Sequence, residues 1–523
     1  MSEQVLWPYG GVLVATLLVW QVVKRMRSGS RSSGPPLPPG PKSRFLVGNM
    51  LDMPTEEPWL TYRDWSDVYG DVVYLDLPAQ PTILVGSAEV AFELLERRSD
   101  IYSDRRMPIM LEMMAWGFNF AFMGYGPVWR AHRRSVHQYF SPNLTHVYQD
   151  IQLQEARSFL HRLLSSPEHR REHVRLMIVA IIVRIVYGKR VENLGDDFIT
   201  LAHKAVEGLV LALVPGAYWV EYLPFLRHLP SWLPGNRAGK LTDAYRPIVQ
   251  AMRDQPFDQV EASLAQGDGT PSVTATMIRE IHEQVDTIEG KQVEEKLKLA
   301  RNVTALAYSG TWLEWTTCAA EVFMLAMGMY PRVQRQAQEE LDRVVGPNRL
   351  PDFDDLESLV YIRAIAMETM RWLPVNPFSV PRTSMAEDEY KGYRIPKGST
   401  ILVNAWAILH NPKDYPEPEE FRPERFIKDA KINPDIRDPI TIAFGFGRRH
   451  VLMRSGLQPL YDICPGRFLS NASLTIYIAS TLHVFNISPG YDKAGNRVKL
   501  TTDVSTGLVA CVVLFVSLFL RQG

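Results

Sequence analysis

Apolar residues recur at intervals of three and four over most of residues 88–370, a spacing that places them on one face of successive α-helices. Residues 333–345 are the clearest surface helix, because Gln, Glu and Arg fill their polar positions. Residues 72–77 and 81–86 are rich in Val, Ile, Leu and Tyr and predict two paired strands. Strand-like sequence returns at residues 390–403, with glycine and proline turn signals. The pattern therefore predicts one large, mainly α-helical domain with small β-sheets, an α+β fold.

The N-terminal segment is apolar without interruption. Residues 6–23 are an uncharged run which, as a helix, spans about 27 Å, close to the thickness of a bilayer core. Basic residues within 24–27 follow it and predict that the remaining chain stays on the cytosolic side. A cleaved signal peptide is the alternative, but such peptides carry basic residues before the apolar run, where this chain has Glu3. We therefore expect residues 1–27 to anchor the protein in membrane lipid.

Composition divides the rest of the chain. Residues 28–41 are rich in Ser, Gly and Pro and predict a stiff linker. Residues 42–506 show no internal repeat and form the predicted main domain. Residues 507–523 are an atypical apolar tail, whose first 14 residues carry no charge and are too short to span a bilayer as a helix. We interpret this tail either as a second membrane contact or as the product of a shifted reading frame or altered splicing.

Composition, net charge and the number of cysteines limit the classes of function that the chain can have. Of the 523 residues, 46% are hydrophobic and 22% are charged, as in a globular protein with a substantial core. The net charge of −1 gives no reason to expect nucleic acid as a partner. Three cysteines are too few for a disulfide framework. Cys464, in its Cys-Pro-Gly context, therefore needs a chemical explanation.

Cys464 is the candidate metal ligand. Pro465 suits the first position of a helix, and residues 466–485 have a helical pattern. The thiol is therefore expected at a helix N-terminus, where free N–H groups and the helix dipole stabilise a thiolate. Gly466 allows a bulky group to approach the backbone closely. An inert buried cysteine is the alternative.

Cys464 belongs to an ordered set of motifs in the last third of the chain. The set consists of Glu368-Thr369-Met370-Arg371, Phe421-Arg422-Pro423-Glu424-Arg425-Phe426, Phe444-Gly445-Phe446-Gly447-Arg448-Arg449 and Cys464-Pro465-Gly466-Arg467-Phe468. Glu368 and Arg371 point the same way on a predicted helix, although one surface ion pair of this kind contributes little. This order resembles the cytochrome P-450 family of haem-thiolate monooxygenases, in particular its membrane-anchored fungal members. The resemblance implies that Glu368, Arg371 and Arg425 form a buried charge triad with a structural role.

The resemblance covers nearly the whole chain and implies the cytochrome P-450 fold with haem b as the cofactor. The sulfur of Cys464 is then the axial iron ligand, and thiolate ligation favours cleavage of the O–O bond. Phe444, Gly447 and Gly466 fall in the loop that surrounds the haem on the side of this ligand.

The resemblance also implies contacts to the haem propionates. Trp129 and Arg133 lie one helical turn apart and face the same side. Arg382 and Arg449 match further contacts of this kind, since a guanidinium binds a carboxylate through a two-pronged fork. The alternative for each arginine is a place in a solvated basic patch.

The helix that activates dioxygen in this family departs here from the usual pattern of an acid followed by two threonines. The chain reads Tyr308-Ser309-Gly310-Thr311-Trp312-Leu313-Glu314-Trp315-Thr316-Thr317. An ungapped alignment places Trp315 at the reactive threonine. One extra residue instead lets Glu314 serve as the acid and Thr316 as the alcohol of a proton relay. We prefer the second alignment and expect Glu314 and Thr316 to be catalytic; the alternative is that Thr316 merely bonds back to a helix carbonyl.

Two segments are unusually apolar for loops. Residues 107–125 contain five methionines and five aromatic residues, and residues 218–232 contain several aromatic residues, with prolines within or beside the segment. Methionine is flexible and polarizable, so the first segment is expected to line an adaptable apolar pocket. The second is expected to contact the membrane. Ordinary core packing is the alternative for both.

An insert interrupts the haem loop. In the family the Gly-x-Arg sequence runs almost directly into the cysteine, but here the thirteen residues 450–462 intervene. The cost in loop entropy is small, but Arg449 and Cys464 should both reach one porphyrin. We interpret the insert as a gene-model error, such as retained intron sequence. A transcript that encodes it in full would contradict this.

The resemblance implies a monooxygenase that inserts one atom of O2 into an apolar small molecule, in secondary metabolism or xenobiotic oxidation. No part of the chain resembles a flavin or nicotinamide domain, so electrons are expected from NADPH through a separate NADPH-dependent cytochrome P-450 reductase. The expected location is the endoplasmic reticulum membrane, with the catalytic domain in the cytosol. Two alternatives stay open: a haem-thiolate isomerase or dehydratase that uses no O2, and an inactive relic in which the insert displaces Cys464.

Overall fold

The computed structural model describes residues 34–45, 47–77, 80–214, 216–287, 289–309, 312–453, 456–461, 464–490, 496–504 and 517–521. The predicted anchor (1–27) and the first six residues of the predicted linker lie outside these ranges. Among the helices that are described, none has the combination of length and apolar character needed to cross a membrane.

The described residues are mainly helical, as the apolar spacing predicts. Their α-helices are α1 (Pro58–Tyr69), α2 (Ala88–Phe92), α3 (Ser99–Tyr102), α4 (Ile109–Met113), α5 (Pro127–Phe140), α6 (Gln149–Ser165), α7 (Arg170–Tyr187), α8 (Asp197–Ala212), α9 (Arg237–Ala265), α10 (Val273–His282), α11 (Gly290–Ser309), α12 (Trp312–Met329), α13 (Pro331–Val344), α14 (Val360–Trp372), α15 (Ala405–Leu409), α16 (Ile440–Ala443) and α17 (Arg467–Val484). Short 3-10 turns and one π-helical turn at Glu93–Arg97 connect some of them.

The strands are short and form several small sheets. They are β1 (Val72–Leu75), β2 (Thr82–Val85), β3 (Arg382–Thr383), β4 (Asp388–Tyr390), β5 (Tyr393–Ile395), β6 (Thr400–Val403), β7 (Ile427–Lys428), β8 (Lys431–Ile432), β9 (Arg448–Met453), β10 (Gly456–Tyr461), β11 (Phe485–Pro489) and β12 (Ser517–Arg521). The predicted α+β class with small sheets is thereby confirmed.

Local chemistry explains several helix boundaries. The Asp196 carboxylate accepts a hydrogen bond from the Phe198 N–H at 2.9 Å and caps the N-terminus of α8. Helix α7 ends at Gly188, whose φ of 74° is the left-handed conformation that glycine adopts without a steric penalty. Helix α13 begins at Pro331, where a missing N–H costs nothing.

The largest sheet has four strands in the order β1-β2-β6-β3. Strands β1 and β2 are antiparallel, with Val72 opposite Val85, which confirms the predicted strand pair. Strand β6 runs parallel to β2, with Val403 opposite Val85. Strand β3 completes the sheet through the pair Arg382 and Ile401, so the sheet edge fixes the backbone of Arg382.

The main core is helical. Helix α7 is apolar on nearly every side and is buried almost throughout from Leu176 to Tyr187. It packs against α6 and α12, and α12 in turn packs against α17. Helix α17 is buried from Ser473 to Leu482. Because α17 begins three residues after Cys464, this buried helix fixes where the thiol lies.

The insert of residues 450–462 is not a loose loop. Its residues extend an antiparallel hairpin made of β9 and β10, in which Arg448 lies opposite Tyr461 and Met453 opposite Gly456. Antiparallel strands joined by a short turn bring their outer ends together. The hairpin thus returns the chain close to the point at which it leaves, which differs from our expectation that the insert disturbs the loop geometry.

The apolar tail also contains a strand. Strand β12 (Ser517–Arg521) pairs antiparallel with β11, with Phe485 opposite Arg521. Residues 507–516 and 522–523, the remainder of the tail that we considered for a second membrane contact, lie outside the described residues.

Candidate active site

One cavity brings together four of the thirteen candidate site residues, Cys464, Arg133, Arg382 and Phe444. It takes in about 1120 Å³ of empty space, part of which is open solvent at its mouth. Its walls are formed by Leu95, Arg105, Asn119, Phe120, Ala121, Phe122, Arg133, Val136, Leu306, Ala307, Trp315, Asn376, Ser379, Val380, Arg382, Ala443, Phe444, Gly445, Phe446, Cys464 and Pro465. Residues from distant parts of the chain therefore meet at one space.

Cys464 stands at the wall of this cavity as a free thiol, three residues before α17. Its N–H donates to the carbonyl of Phe444 at 3.1 Å, and its own carbonyl accepts from the N–H of Arg467 at 3.3 Å. Desolvation raises the pKa of the Cys464 thiol, whereas the N–H of Gly466 and the charge of Arg133 act in the opposite direction. The thiolate thus has both a helix N-terminus and a cation in its surroundings.

The bond between Cys464 and Phe444 bridges the insert. Phe444 lies before the hairpin and Cys464 after it, yet their backbones are hydrogen-bonded and both residues line the cavity. Gly445 and Gly447, with φ of 86° and 117°, allow the turn that this contact requires. Gly466 immediately precedes α17. In the described structure the insert does not displace Cys464 from the cavity.

Three arginines line the same cavity. Arg133 projects from α5, and its guanidinium lies 6.0 Å from the centre of the Phe120 ring. Arg382 donates to the carbonyl of Phe446 at 2.6 Å. Arg105, which the sequence analysis missed, donates to the carbonyl of Ala121. Its only signal in the sequence was its place in a basic pair just before the apolar segment 107–125.

Trp129 does not line the cavity but supports its wall. The side chain is 1% exposed, and its indole N–H donates to the carbonyl of Phe120 at 3.2 Å. Phe120 belongs to residues 119–122, the part of the apolar 107–125 segment that faces the cavity. Arg449 lies in β9, where it pairs with Leu460; its side chain lies outside the described part of the structure. The geometry therefore brings Arg133 and Arg382 together with Cys464, and Trp129 behind them.

Glu368, Arg371 and Arg425 form a completely enclosed ion cluster, the charge triad. Arg371 binds Glu368 through Nε at 2.7 Å and Nη2 at 2.9 Å, and Arg425 Nε reaches the same carboxylate at 3.1 Å. The N–H of Arg422 donates a further hydrogen bond to Glu368 at 2.8 Å. Burial lowers the pKa of the Arg425 guanidinium, and the charge of Glu368 acts against this. The triad joins α14 to the loop that contains Pro423–Phe426.

The chain matches the sequence model of cytochrome P450 over residues 38–502. This chain belongs to the cytochrome P450 family. It is similar to a Coprinopsis cinerea protein named cytochrome P450 monooxygenase COX1, with 38% identity over 517 residues that cover 97% of this chain and 95% of that one. It is also similar to tryptamine 4-monooxygenase of Psilocybe cyanescens, with 33% identity over 500 residues that cover 95% and 94% of the two chains. This P450 is therefore an oxygen-incorporating oxidoreductase whose cofactor is haem with a cysteine thiolate on the iron.

The residues around the cavity fit that cofactor. A thiol and three guanidinium groups face one largely apolar space, and haem offers an iron for the thiol, a flat apolar body and two carboxylates for the cations. Cys464 would hold the iron, and Arg105, Arg133 and Arg382 would hold the carboxylates. Haem would supply the binding and activation of O2 in this P450.

Helix α12, which corresponds to the oxygen-activating helix, does not agree with the alignment that we preferred from the sequence. Trp315 lines the cavity of the P450, whereas the Thr316 hydroxyl lies 3.0 Å from the Ser470 hydroxyl and borders a separate small cavity between α7, α12 and α17. Neighbouring residues of an α-helix point about 100° apart, so Trp315 and Thr316 face different sides. The placement of Thr316 does not fit its expected catalytic role and agrees with the ungapped alignment instead. Glu314 belongs to α12, and its side chain lies outside the described part.

Proposed function

We propose that this P450 inserts one atom of O2 into a neutral, largely apolar organic molecule, with Cys464 as its iron ligand. The observation that carries the proposal is the shared cavity, in which Cys464 faces the same space as Arg133, Arg382 and a set of apolar side chains. The insert does not oppose it, because the bond between Cys464 and Phe444 spans the hairpin.

Different residues around the cavity have different roles in the proposed reaction. The N–H of Gly466 and the charge of Arg133 favour the Cys464 thiolate. The arginines neutralise and orient the carboxylates of the cofactor. Phe120, Phe122 and Trp315 supply apolar surface that excludes water and holds the substrate.

The charge of the cavity wall favours a neutral substrate. Among the residues that the structure describes, its lining includes three arginines and no Asp or Glu. One relative is named for its action on tryptamine, a cationic amine at neutral pH. Among the lining residues here, no carboxylate is present to pair with an ammonium group, so a neutral molecule fits better than an amine.

Electrons are proposed to come from NADPH through a separate reductase, since no part of the sequence resembles a flavin or nicotinamide domain. The proposed location is the endoplasmic reticulum membrane. The uncharged run of residues 6–23 supports an anchor there, and the exposed aromatic side chains of Trp219, Phe225 and Trp232 support additional contact with lipid. NADPH oxidation that begins only when a fungal reductase is added would support the proposed partner.

The test is the difference spectrum of the reduced, carbon monoxide-treated protein, recorded for the full 523-residue chain. We expect the strongly red-shifted Soret band of a thiolate-ligated haem, and its loss in Cys464→Ala, whereas the variant Cys318→Ala should keep it. A variant that lacks residues 450–462 should show the same band as the full chain. If the band appears only after this deletion, the insert displaces Cys464 and the hairpin geometry is contradicted.

A further inference from the structure

Three uncharged polar side chains interrupt the apolar wall of the cavity: Asn119, Asn376 and Ser379. Buried amides and hydroxyls in proteins nearly always have hydrogen-bond partners, because an unpaired buried polar group costs free energy. Polar groups that lack a partner within the protein and border a cavity therefore indicate which groups a ligand must supply.

Asn119 is the clearest case. Its side chain is 5% exposed, and its Oδ1 accepts a hydrogen bond from the Ala121 N–H at 3.0 Å. This bond fixes the orientation of the carboxamide. Within the described part of the chain the Nδ2 group donates to no residue, so its two N–H bonds are available at the cavity wall.

Asn376 and Ser379 come from a different part of the chain, the segment between α14 and β3. Ser379 is 7% exposed, and its hydroxyl finds no hydrogen-bond partner among the described residues. The Asn376 carboxamide likewise makes no hydrogen bond to the described part of the protein. Two distant segments thus each bring neutral hydrogen-bonding groups to the same cavity.

We propose that the substrate of this P450 is an apolar skeleton that already carries an oxygen function, a carbonyl, hydroxyl or ether, to which Asn119 donates a hydrogen bond. The inference rests on the proposed function and deepens it. The arginines match the carboxylates of haem in charge, which leaves the neutral amides for a neutral oxygen atom. A site with such donors discriminates against a ligand that lacks the acceptor, because its own buried groups then stay unpaired. The reaction that supplies the substrate must therefore install or leave an oxygen function on the skeleton.

The test compares ligands of one shape. Adamantane and 2-adamantanone share a rigid skeleton, and only the ketone offers an acceptor oxygen. Their dissociation constants are measured on the purified, haem-loaded full chain from the change in the Soret spectrum, and the ratio of the constant for adamantane to that for the ketone is compared between variants. Haem content is measured for each variant.

The decisive variant is Asn119→Asp, which keeps the oxygen that accepts from Ala121 and replaces the donor by an acceptor. Asn193→Asp is the matched control, because exposed Asn193 makes the same turn contact, to the Gly195 N–H at 2.9 Å. We expect the ratio to fall about fivefold in Asn119→Asp, the equivalent of one neutral hydrogen bond, and to stay unchanged in Asn193→Asp. Ser379→Ala, which removes one atom, should lower the ratio in the same direction by about twofold.

Three results would overturn the inference. In the first, Asn119→Asp and Ser379→Ala keep their haem and leave the ratio unchanged. In the second, Asn119→Asp lowers haem content or shifts the reduction potential without changing the ratio, which would assign the amide to the cofactor. In the third, the haem-loaded parent itself binds adamantane more tightly than the ketone, so that the ratio is below one before any substitution; the proposed function, which the carbon monoxide spectrum tests, would be unaffected.

Discussion

The charge triad and the stretch of α12 around Trp315 illustrate two ways in which a sequence motif specifies a position. In the triad, Glu368 receives hydrogen bonds from Arg371, Arg425 and a backbone N–H, and all three side chains are buried. Around Trp315, the orientation of each side chain depends on the helical register alone. Charged residues that bind one another fix their own alignment with the motif. In a helix, by contrast, the addition or removal of one residue changes which side chains face the cavity.

The largest effect should come from breaking the triad. Glu368→Gln leaves the guanidinium groups of Arg371 and Arg425 buried without a counter-charge, so we expect a loss of about 3–5 kcal/mol in the free energy of unfolding. Urea titration of the purified protein measures this. Glu89→Gln removes an exposed partner of Arg437 and should change stability by less than about 0.5 kcal/mol. Equal effects of the two substitutions would contradict the burial of the triad.

The stability of the protein should depend on pH through His410, whose pKa is affected by Arg371 of the triad. Burial lowers the pKa of His410 to about 3, and the charge of Arg371 acts in the same direction. Because the unfolded chain has a histidine pKa near ~6.5, it binds more protons than the folded one between pH 6.5 and 3. The free energy of unfolding should therefore fall as the pH is lowered, by up to about 1.4 kcal/mol per pH unit below about pH 6.

The variant His410→Phe isolates this contribution. The imidazole of His410 stacks on Trp406 with ring centres 3.9 Å apart, and a phenyl ring preserves this contact. Urea titrations at pH 7, 6 and 5 should show a weaker pH dependence for the variant than for the parent. Parallel curves would mean that His410 is not the group that titrates.

The smallest effect should come from the helix that carries Trp315. Thr316→Val removes the hydroxyl contact to Ser470 and should cost about 1 kcal/mol of stability, with no change in the affinity of the haem-loaded protein for 1-phenylimidazole. Trp315→Phe changes the cavity wall and should alter that affinity, measured by spectral titration. The reverse outcome, a larger change in affinity for Thr316→Val, would contradict the register of α12 and support the alignment that we first preferred.

Much of the fold was predictable because its signals are local. The strand pair formed by β1 and β2 follows from β-branched residues between turns, and the helix after Cys464 follows from Pro465 and the apolar spacing behind it. Arg133 and Arg382 were identified by their motifs, and the structure places both at the cavity with Cys464. In these cases each residue's position depends mainly on neighbours close in the sequence.

Other features depend on contacts that the sequence does not display. Residues 450–462 were interpreted as a gene-model error because they separate Arg449 from Cys464, and the pairing of Val451 with Gln458 in a hairpin was not foreseen. Arg105 carries no motif and reaches the cavity only through the path of the chain to Ala121. The orientation of Thr316 depends on how α11 ends at Ser309 and α12 begins at Trp312, which periodicity alone does not determine.

The hairpin of β9 and β10 has a consequence for the variability of this enzyme. An antiparallel pair adds residues without adding distance between its two ends, so the path on either side is independent of the number of residues between them. Hairpins of different length could therefore be exchanged between Arg448 and Tyr461 while the coordination of the metal stays the same. Diversity at this point would change the length of the hairpin and leave the residues that line the cavity in place.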